Sequence, residues 1–446
     1  KLDKESLLFA IAISRCEEYL YLSYSENSLD GEINIPSMFL DELLSILEGG
    51  KVEDKVHCIE LDMDYLIKDE IKEVTTRQEL IRNLLYRYYQ GEDCTEYFQM
   101  LNGLGENILH EINERIQCEV YRNKDELSEY SGYIGDENVR NDIYNGQKDL
   151  KFSATYLETY GKCHYKFLMD YILKIDGIER NLEEFSPLDK GNIYHRVLKE
   201  IYKKHKYDFK QHILGDIDFN FQSIQEDVVL KIKNILNENG IEKINKLWEL
   251  RIGNMANNIL NLMKADLERL RRNKVKVFPY DFEVEFGYED DFYIDLGDKK
   301  VKLAGKIDRI DKTLEEDKFV VYDYKTSSYG VKKVKDMIEG TSLQLPIYIM
   351  AQDKKEVIAG CYINISKSEF SFELVKDEEK EVVNKTRGNG ILSKEEWDGL
   401  MDKVKEWVKE YITGICHGDF SVAPKVCDEY CRYKDICRYN GRQGVK

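Results

Sequence analysis

Nowhere in the 446 residues do 18 or more apolar side chains follow one another, which excludes a helix long enough to cross a membrane. No GxxxxGK[ST] stretch occurs either, so no complete phosphate cradle for a nucleoside triphosphate lies within the chain. The start, KLDKESLLFAIAIS, lacks an initiator Met and a charged-then-apolar signal pattern, and we expect it to lie inside a longer protein. Internal repeats, low-complexity tracts and the paired C-x2-C knuckles of most zinc ribbons are also missing. What is present is a chain rich in Lys and Glu with ten cysteines and 42% hydrophobic residues. The length allows two or three domains, and such cysteine usage points to a reducing cytoplasm and to metal ligation rather than disulfides.

The net charge of −19 is unevenly spread. Residues 1–150 hold 15 Lys and Arg against 33 Asp and Glu, whereas residues 151–446 hold 51 against 52. Any polyanion is therefore expected to meet the second part, where basic stretches such as LERLRRNKVKV, SSYGVKKVKD and RYKDICRYNGRQ lie. In the first part FAIAI and YLYLSYS read as strands about a short turn, followed by a helix at PSMFLDELLSILEG and acidic helical stretches to about residue 125. Residues 131–150 are polar and aperiodic and read as a linker. Beyond it Ser153 caps one helix running through ATYLETYGKCHYKFLMDYILKI, a second helix covers 191–205, and amphipathic helices fill 222–273. Strands follow at about 279–286, 291–296, 301–311, 318–325 and 357–366, with helices at 342–352 and through KEEWDGLMDKVKEWVKEYITGICHG.

Two of these strands carry the most informative residues. Asp308 stands in LAGKIDRID and Asp323 in FVVYDYKTS, with Lys325 two positions on. Residues i and i+2 of a strand share a face, so Asp323 and Lys325 point one way and Tyr322, Tyr324 and Thr326 the other. A short D-x-K is common as a solvated ion pair, but Leu303, Ala304, Ile307, Val320 and Val321 make both segments interior, and buried charges need a partner. Two carboxylates and an ammonium around a divalent cation are such a partnership, and they suit phosphodiester hydrolysis. His195, on a helix after Gly191, is either a core histidine or a ligand. Gln344 and Tyr348, four apart on one helix face, can orient water, phosphate or strand, or simply pack on the sheet.

Three thiols, Cys427, Cys431 and Cys437, fall in VCDEYCRYKDIC, and Cys163 is a lone upstream cysteine at the head of the second region. Four thiolates can hold zinc or an iron–sulfur cluster, and either would staple residues 163 and 437 together. Cys16, Cys58, Cys94, Cys118, Cys361 and Cys416 read as small apolar side chains of the interior.

In order, Gly191-x3-His195, GKIDRID, VVYDYKT, LQLPIY and the cysteine triplet resemble the RecB-type nuclease domain of the PD-(D/E)XK superfamily over about residues 150–440. Within it the chain is similar to the AddB family, whose members are subunits of ATP-dependent helicase–nucleases. The front resembles the end of that family's second helicase-like domain, with Ser14-Arg15-Cys16 at its Thr-Arg-Ala turn and Arg15 where helicases place an arginine finger. The resemblance implies an α/β, restriction-endonuclease-like core, a central mixed sheet flanked by helices, at 151–446, preceded by a helicase-like fragment at 1–130. It implies Mg²⁺ or Mn²⁺ held by His195, Asp308, Asp323 and the carbonyl of Tyr324, with Lys325, Gln344 and Tyr348 completing the site. It also implies a [4Fe–4S] cluster on Cys163, Cys427, Cys431 and Cys437, although the spacing here is C-x3-C-x5-C where the family has C-x2-C-x5-C. The expected function is DNA cleavage, as an exonuclease on single strands, in double-strand break repair beside an AddA-like helicase partner. The alternatives are a stand-alone, cluster-bearing exonuclease of the CRISPR-adaptation type and a non-catalytic DNA-binding module.

Overall fold

The computed structural model describes the chain except residues 1, 27–32, 48–66, 69, 105–107, 123–127, 149–151, 176–186, 240–245, 289–291, 296–299, 386–387, 429–430, 438 and 440–446. Cys58, part of the acidic stretch expected as helix, and the basic end of the tail lie outside the described residues. Two compact units are formed, Lys1–Ile112 and Asn113–Lys446.

The first unit holds α1 (Leu2–Ser14), α2 (Met38–Leu47), α3 (Arg77–Gln90) and α4 (Thr95–Leu104), and α5 (Ile108–Arg122) begins in it. Leu80, Leu84, Tyr97, Leu101 and Ile112 make its small core. The strand expected at FAIAI is helical, and YLYLSYS forms no strand. A short apolar run has no period to separate the two states, and Leu, Ala and the charged residues before it favour the helix. Of the cysteines expected inside, Cys94 and Cys361 are buried, Cys118 and Cys416 partly so, and Cys16 is exposed.

The second unit continues through α6 (Glu137–Lys148), α7 (Ala154–Lys162), α8 (His164–Phe167), α9 (Pro187–Lys204), α10 (Lys206–Leu214), α11 (Gln225–Glu238) and α12 (Lys246–Arg272). Then come β1 (Val277–Phe286), β2 (Tyr293–Asp295), β3 (Lys300–Lys302), β4 (Gly305–Thr313) and β5 (Lys318–Lys325). After α13 (Val334–Ile338) and α14 (Gln344–Met350) follow β6 (Glu356–Asn364), β7 (Glu369–Lys376), β8 (Ile391–Leu392), α15 (Lys394–His417) and α16 (Lys434–Cys437). Residues 131–150 are not the plain linker expected, because they carry α6, and Ile134 N–H donates to the Gly418 carbonyl at 2.9 Å. The long helix expected from Ala154 breaks at Cys163, whose backbone is extended and whose thiol caps α8 by accepting from Lys166 N–H. A capping side chain ends one helix by starting another.

Six strands form one mixed sheet in the order β1-β4-β5-β6-β7-β8, and β2 with β3 makes a separate hairpin. Ladders β1/β4, β4/β5 and β6/β7 are antiparallel and β5/β6 and β7/β8 parallel. A parallel pair needs a crossover, and α13 and α14 supply the one between β5 and β6. The side chains of β5 divide by parity: Val320, Tyr322 and Tyr324 join the core beneath α9 to α12, whereas Phe319 and Val321 join the core of α7, α14 and α15. Helices thus cover both faces, and Asp323 and Lys325 share the parity of the second core. Neither β7 nor β8 was expected from the sequence.

Candidate active site

The ladder between β4 and β5 runs from Lys312/Phe319 to Arg309/Tyr322 and stops there. β4 stays paired with β1 as far as Gly305/Phe286, and β5 with β6 as far as Lys325/Asn364. The two central strands therefore part at Asp308 and Asp323, and the wedge between them is lined by carboxylates that are 8% and 3% exposed. Asp308 Oδ2 fills part of the gap by accepting the Tyr324 backbone N–H at 2.7 Å.

The residues singled out in the sequence converge on this wedge. From α9, His195 brings Nδ1 to 3.0 Å of Asp308 Oδ1, and Gly191 one turn earlier faces Thr326. Lys325 Nζ lies 2.6 Å from Asp323 Oδ2 and donates to Gln344 Oε1 at 2.6 Å, while Gln344 Nε2 donates to the Tyr348 hydroxyl at 3.3 Å. The contact with Lys325 is an ion pair without hydrogen-bond geometry, so Asp323 Oδ2 is a buried oxygen with no hydrogen bond among the described residues.

Two carboxylates that the sequence reading missed complete the arrangement. Glu283 faces Asp308 across the β1/β4 ladder, between the pairs Phe282/Arg309 and Val284/Ile307. Its φ of 52° is left-handed, a conformation that costs a non-glycine about 1–2 kcal/mol, and its carboxylate reaches Lys306 at 2.9 Å and Lys199 at 3.5 Å. Donor atoms of His195, Glu283 and Asp308 all lie within 4.8 Å of one another. Glu158, buried on α7, has Oε1 accepting the N–H groups of Leu343 at 2.6 Å and Gln344 at 3.0 Å. It thereby fixes the start of α14 and with it Gln344.

The electrostatics follow from burial and pairing. Burial alone would discharge Asp308, but the His195 charge and hydrogen bond, the Tyr324 N–H and Lys325 outweigh it and hold its pKa below the usual carboxylate range. Asp323 is pushed up to about 6 by burial, against the pull of Lys325 and with Asp308 adding to the rise. Burial opposes the charge of His195 and of Lys325, yet the facing carboxylates win and raise both. One step behind Asp308, fully buried Arg309 bonds Asp311 through Nε at 2.6 Å and Nη2 at 2.7 Å and Asp266 through Nη1 at 2.6 Å. Its guanidinium lies 4.9 Å and 4.8 Å from the centres of the Tyr202 and Tyr322 rings.

A hard divalent cation fits these donors. Carboxylate oxygens and one imidazole gather within little more than the ~4 Å span of an octahedral shell, and Asp323 offers an unbonded oxygen beside them. The second constellation is looser. Burial raises the Cys163 thiol pKa against the N–H groups of Lys166 and Tyr165, and the thiols of Cys431 and Cys437 press it up further. Cys427 is exposed and is not among the groups acting on Cys163. Arg432 Nη2 and the Tyr433 hydroxyl each donate to Asp170 Oδ1 at 2.6 Å and seat the tail beside α8. Among the described residues no three cysteine sulfurs come within 4.8 Å of one another, wider than the about 3.8 Å that a tetrahedral zinc imposes on its thiolates.

The chain matches the family model of the PD-(D/E)XK nuclease superfamily over residues 151–438. It is similar to AddB of Clostridium acetobutylicum, a subunit of an ATP-dependent helicase/deoxyribonuclease, with 22% identity over 98% of this chain and 42% of that protein. The protein of the same name from Clostridium perfringens is 24% identical over 79% of this chain and 30% of its own length. That of Caldanaerobacter subterraneus subsp. tengcongensis is 22% identical over 98% and 42%. The chain thus spans less than half the length of these curated relatives. A match that takes in the whole six-stranded sheet and every residue of the wedge makes the chain a member of the PD-(D/E)XK nuclease superfamily.

Proposed function

We propose that residues 151–446 are a divalent-metal-dependent deoxyribonuclease that hydrolyses phosphodiesters of single-stranded DNA from an end, within an AddB-type subunit of a helicase–nuclease. The observation that carries this reading is the wedge itself: three metal-type donors within 4.8 Å, an unbonded buried carboxylate oxygen on Asp323, and a charged lysine beside it. His195, Asp308, Asp323 and Glu283 would hold Mg²⁺ or Mn²⁺, with the Tyr324 carbonyl next to them. The ion, when bound, supplies Lewis acidity and a water of lowered pKa. Lys325, with its pKa raised by Asp323, keeps its proton and presents a fixed positive charge to the scissile phosphate. Gln344 holds the ammonium in place through Oε1 and is itself held by Glu158. Tyr348, its phenol pushed well up by burial, stays neutral and carries a hydroxyl toward the strand.

The same reading makes the chain part of a cytoplasmic machine for double-strand break repair, paired with an AddA-like helicase, as the names of its relatives suggest. The thiols of Cys163, Cys431 and Cys437, with Cys427 closing onto them, would hold a [4Fe–4S] cluster, whose thiolates stand wider apart than those of a single ion. The test is cleavage of an end-labelled single-stranded oligonucleotide with Mg²⁺. Asp308→Ala, Asp323→Ala and Lys325→Ala each abolish it while the thermal melt of the protein stays within a few degrees. Full activity in any of them, or activity in EDTA, refutes the assignment.

A further inference from the structure

At 92% exposure, Tyr329 shows more of its surface than any other large apolar side chain among the described residues. It stands four positions after Lys325, on the turn Ser328–Gly330. Elsewhere an exposed ring is unremarkable, but the backbone that carries this one is pinned on both sides. Ser366 Oγ donates to the Thr326 carbonyl at 2.8 Å, and Asn364, itself buried, donates Nδ2 to Ser328 Oγ at 3.1 Å. Ile365 N–H donates to the Lys325 carbonyl at 2.8 Å, and Gly330 and Val331 N–H close the turn onto Ser327 and Ser328 at 3.3 Å and 3.2 Å. Gly330 folds back so closely that a Cβ there would meet Lys325 side-chain carbons at 3.0 to 3.2 Å. Val331 then packs into the core of α14 and α15.

The turn is therefore anchored to β6 and pressed on the active-site lysine. The ring at its tip makes no hydrogen bond, ion pair or ring contact among the described residues. Holding an aromatic ring in water on a fixed turn contributes nothing to folding, since the apolar surface stays wet. It does provide a preorganised flat face at the lip of the wedge, with Lys332 and Lys333 next along the chain. Stacking of a base on such a ring tolerates any sequence, because every base has a π-face, and neighbouring cations track the backbone. Duplex DNA keeps its bases stacked on one another and offers no such face.

We infer that Tyr329 is a stacking platform for one unpaired nucleobase of the strand whose backbone enters the wedge, a contact that selects single-stranded over duplex DNA. This rests on the nuclease reading for the identity of the polymer, but its test is binding rather than cleavage. A fluorescent single-stranded oligonucleotide is titrated by anisotropy into the full chain in EDTA, where nothing is cut, for the unaltered protein, Tyr329→Ala, Tyr329→Phe and Tyr329→Trp. Stacking of one base corresponds to roughly a five- to 150-fold change in affinity. We expect Tyr329→Ala to weaken binding by about tenfold, Tyr329→Phe and Tyr329→Trp to stay within about twofold of the unaltered protein, and duplex binding to be the same in all four. A series of oligonucleotides with one abasic position moved along the strand should show a single position at which the loss matches that of Tyr329→Ala and does not add to it.

Equal single-strand affinity for Tyr329→Ala and the unaltered protein overturns the inference, as does an abasic series with no such position. So does an equal loss on single strands and duplex, which would mark a general surface effect. Failure of the nuclease reading looks different: oligonucleotide binding with no Mg²⁺-dependent cleavage in the unaltered chain.

Discussion

Replacing Arg309 by Met removes the one cation that neutralises Asp311 and one of two that neutralise Asp266, in a place where none of the three side chains touches water. Met keeps the length and the apolar stem, so the loss is electrostatic. Asp311 then loses both of its side-chain bonds, which come from Arg309, whereas Asp266 keeps Arg269 Nη2 at 2.8 Å and the Tyr202 hydroxyl at 2.8 Å. Breaking a buried pair from one side costs about 3–5 kcal/mol, a third or more of the ~5–15 kcal/mol that holds a typical domain. Burial already pushes the Asp311 carboxyl upward, and without Arg309 it folds protonated. Urea unfolding followed by tryptophan fluorescence reads this unit alone, because Trp248, Trp397 and Trp407 all lie in Asn113–Lys446. At a slope of about 2–3 kcal/mol per M the midpoint should fall by about 1–2.5 M. Arg309→Met with Asp311→Asn removes the orphaned charge and should recover about half of that shift. A midpoint that moves by less than about 0.3 M in the single variant would refute the reasoning, since the cluster would then tolerate an unpaired carboxylate.

The remaining predictions concern the site and the tail. Glu283→Gln should raise the Mg²⁺ concentration for half-maximal cleavage by about tenfold with little change in stability, measured by metal titration; an unchanged requirement removes Glu283 from the ligand set. Glu158→Gln weakens two charge-assisted hydrogen bonds at the start of α14 and should cost about 1–2 kcal/mol in urea unfolding together with a loss of cleavage that added Mg²⁺ does not restore. Cys431→Ala should bleach a brown chromophore of the purified protein, and a colourless protein carrying stoichiometric zinc contradicts the cluster. Pairing with Lys166, Tyr433 and Arg432, acting against burial, lowers the pKa of Asp170, so its contribution is present above the ordinary carboxylate pKa of about 4 and is lost as the pH falls through the lower folded value. Limited proteolysis with an acid-active protease should accordingly release the tail from residue 432 onward only below about pH 4, and Asp170→Asn should release it at neutral pH.

Much of the site was legible because its chemistry clashes with its surroundings. Asp308, Asp323 and Lys325 stand in runs too apolar to leave charges unexplained, and the two-residue period of a strand fixes their common face. The helices 191–205, 342–352 and 394–418 were found within a few residues for the same reason, their apolar period being long enough to count. Glu283 and Glu158 left no such trace. Glu283 alternates in VFPYDFEVEF like any solvent-facing strand residue, and only a left-handed φ turns it inward. Glu158 sits at an ordinary helical position, and its partners are amides 185 and 186 residues away, which no local pattern encodes. Strand β7 was missed because SEFSFELVKD mixes charge into an edge-near strand, and the first unit's strands because a five-residue apolar run carries no period. The break at Cys163 was hidden by a cysteine acting as a cap, a role usually read from Ser, Thr or Asp.

Helix α7, at the head of the nuclease domain, is closed by the last part of the chain. Tyr160 on α7 donates its hydroxyl to the Asp419 carbonyl at 2.7 Å across 259 residues, and Phe420 N–H donates to the Gly132 carbonyl at 2.9 Å. At a ribosomal pace of about 5–20 residues per second, α7 waits roughly 13–50 s for that partner. Because α7 also carries Glu158, which fixes Gln344, the wedge cannot be fully ordered until Asp419 has left the exit tunnel. A nascent chain thus has no finished cutting site while it is still attached to the message that encodes it. Contacts of such sequence separation also make folding slow, and a premature stop anywhere before residue 419 yields a protein with its ligands present and its catalytic frame open.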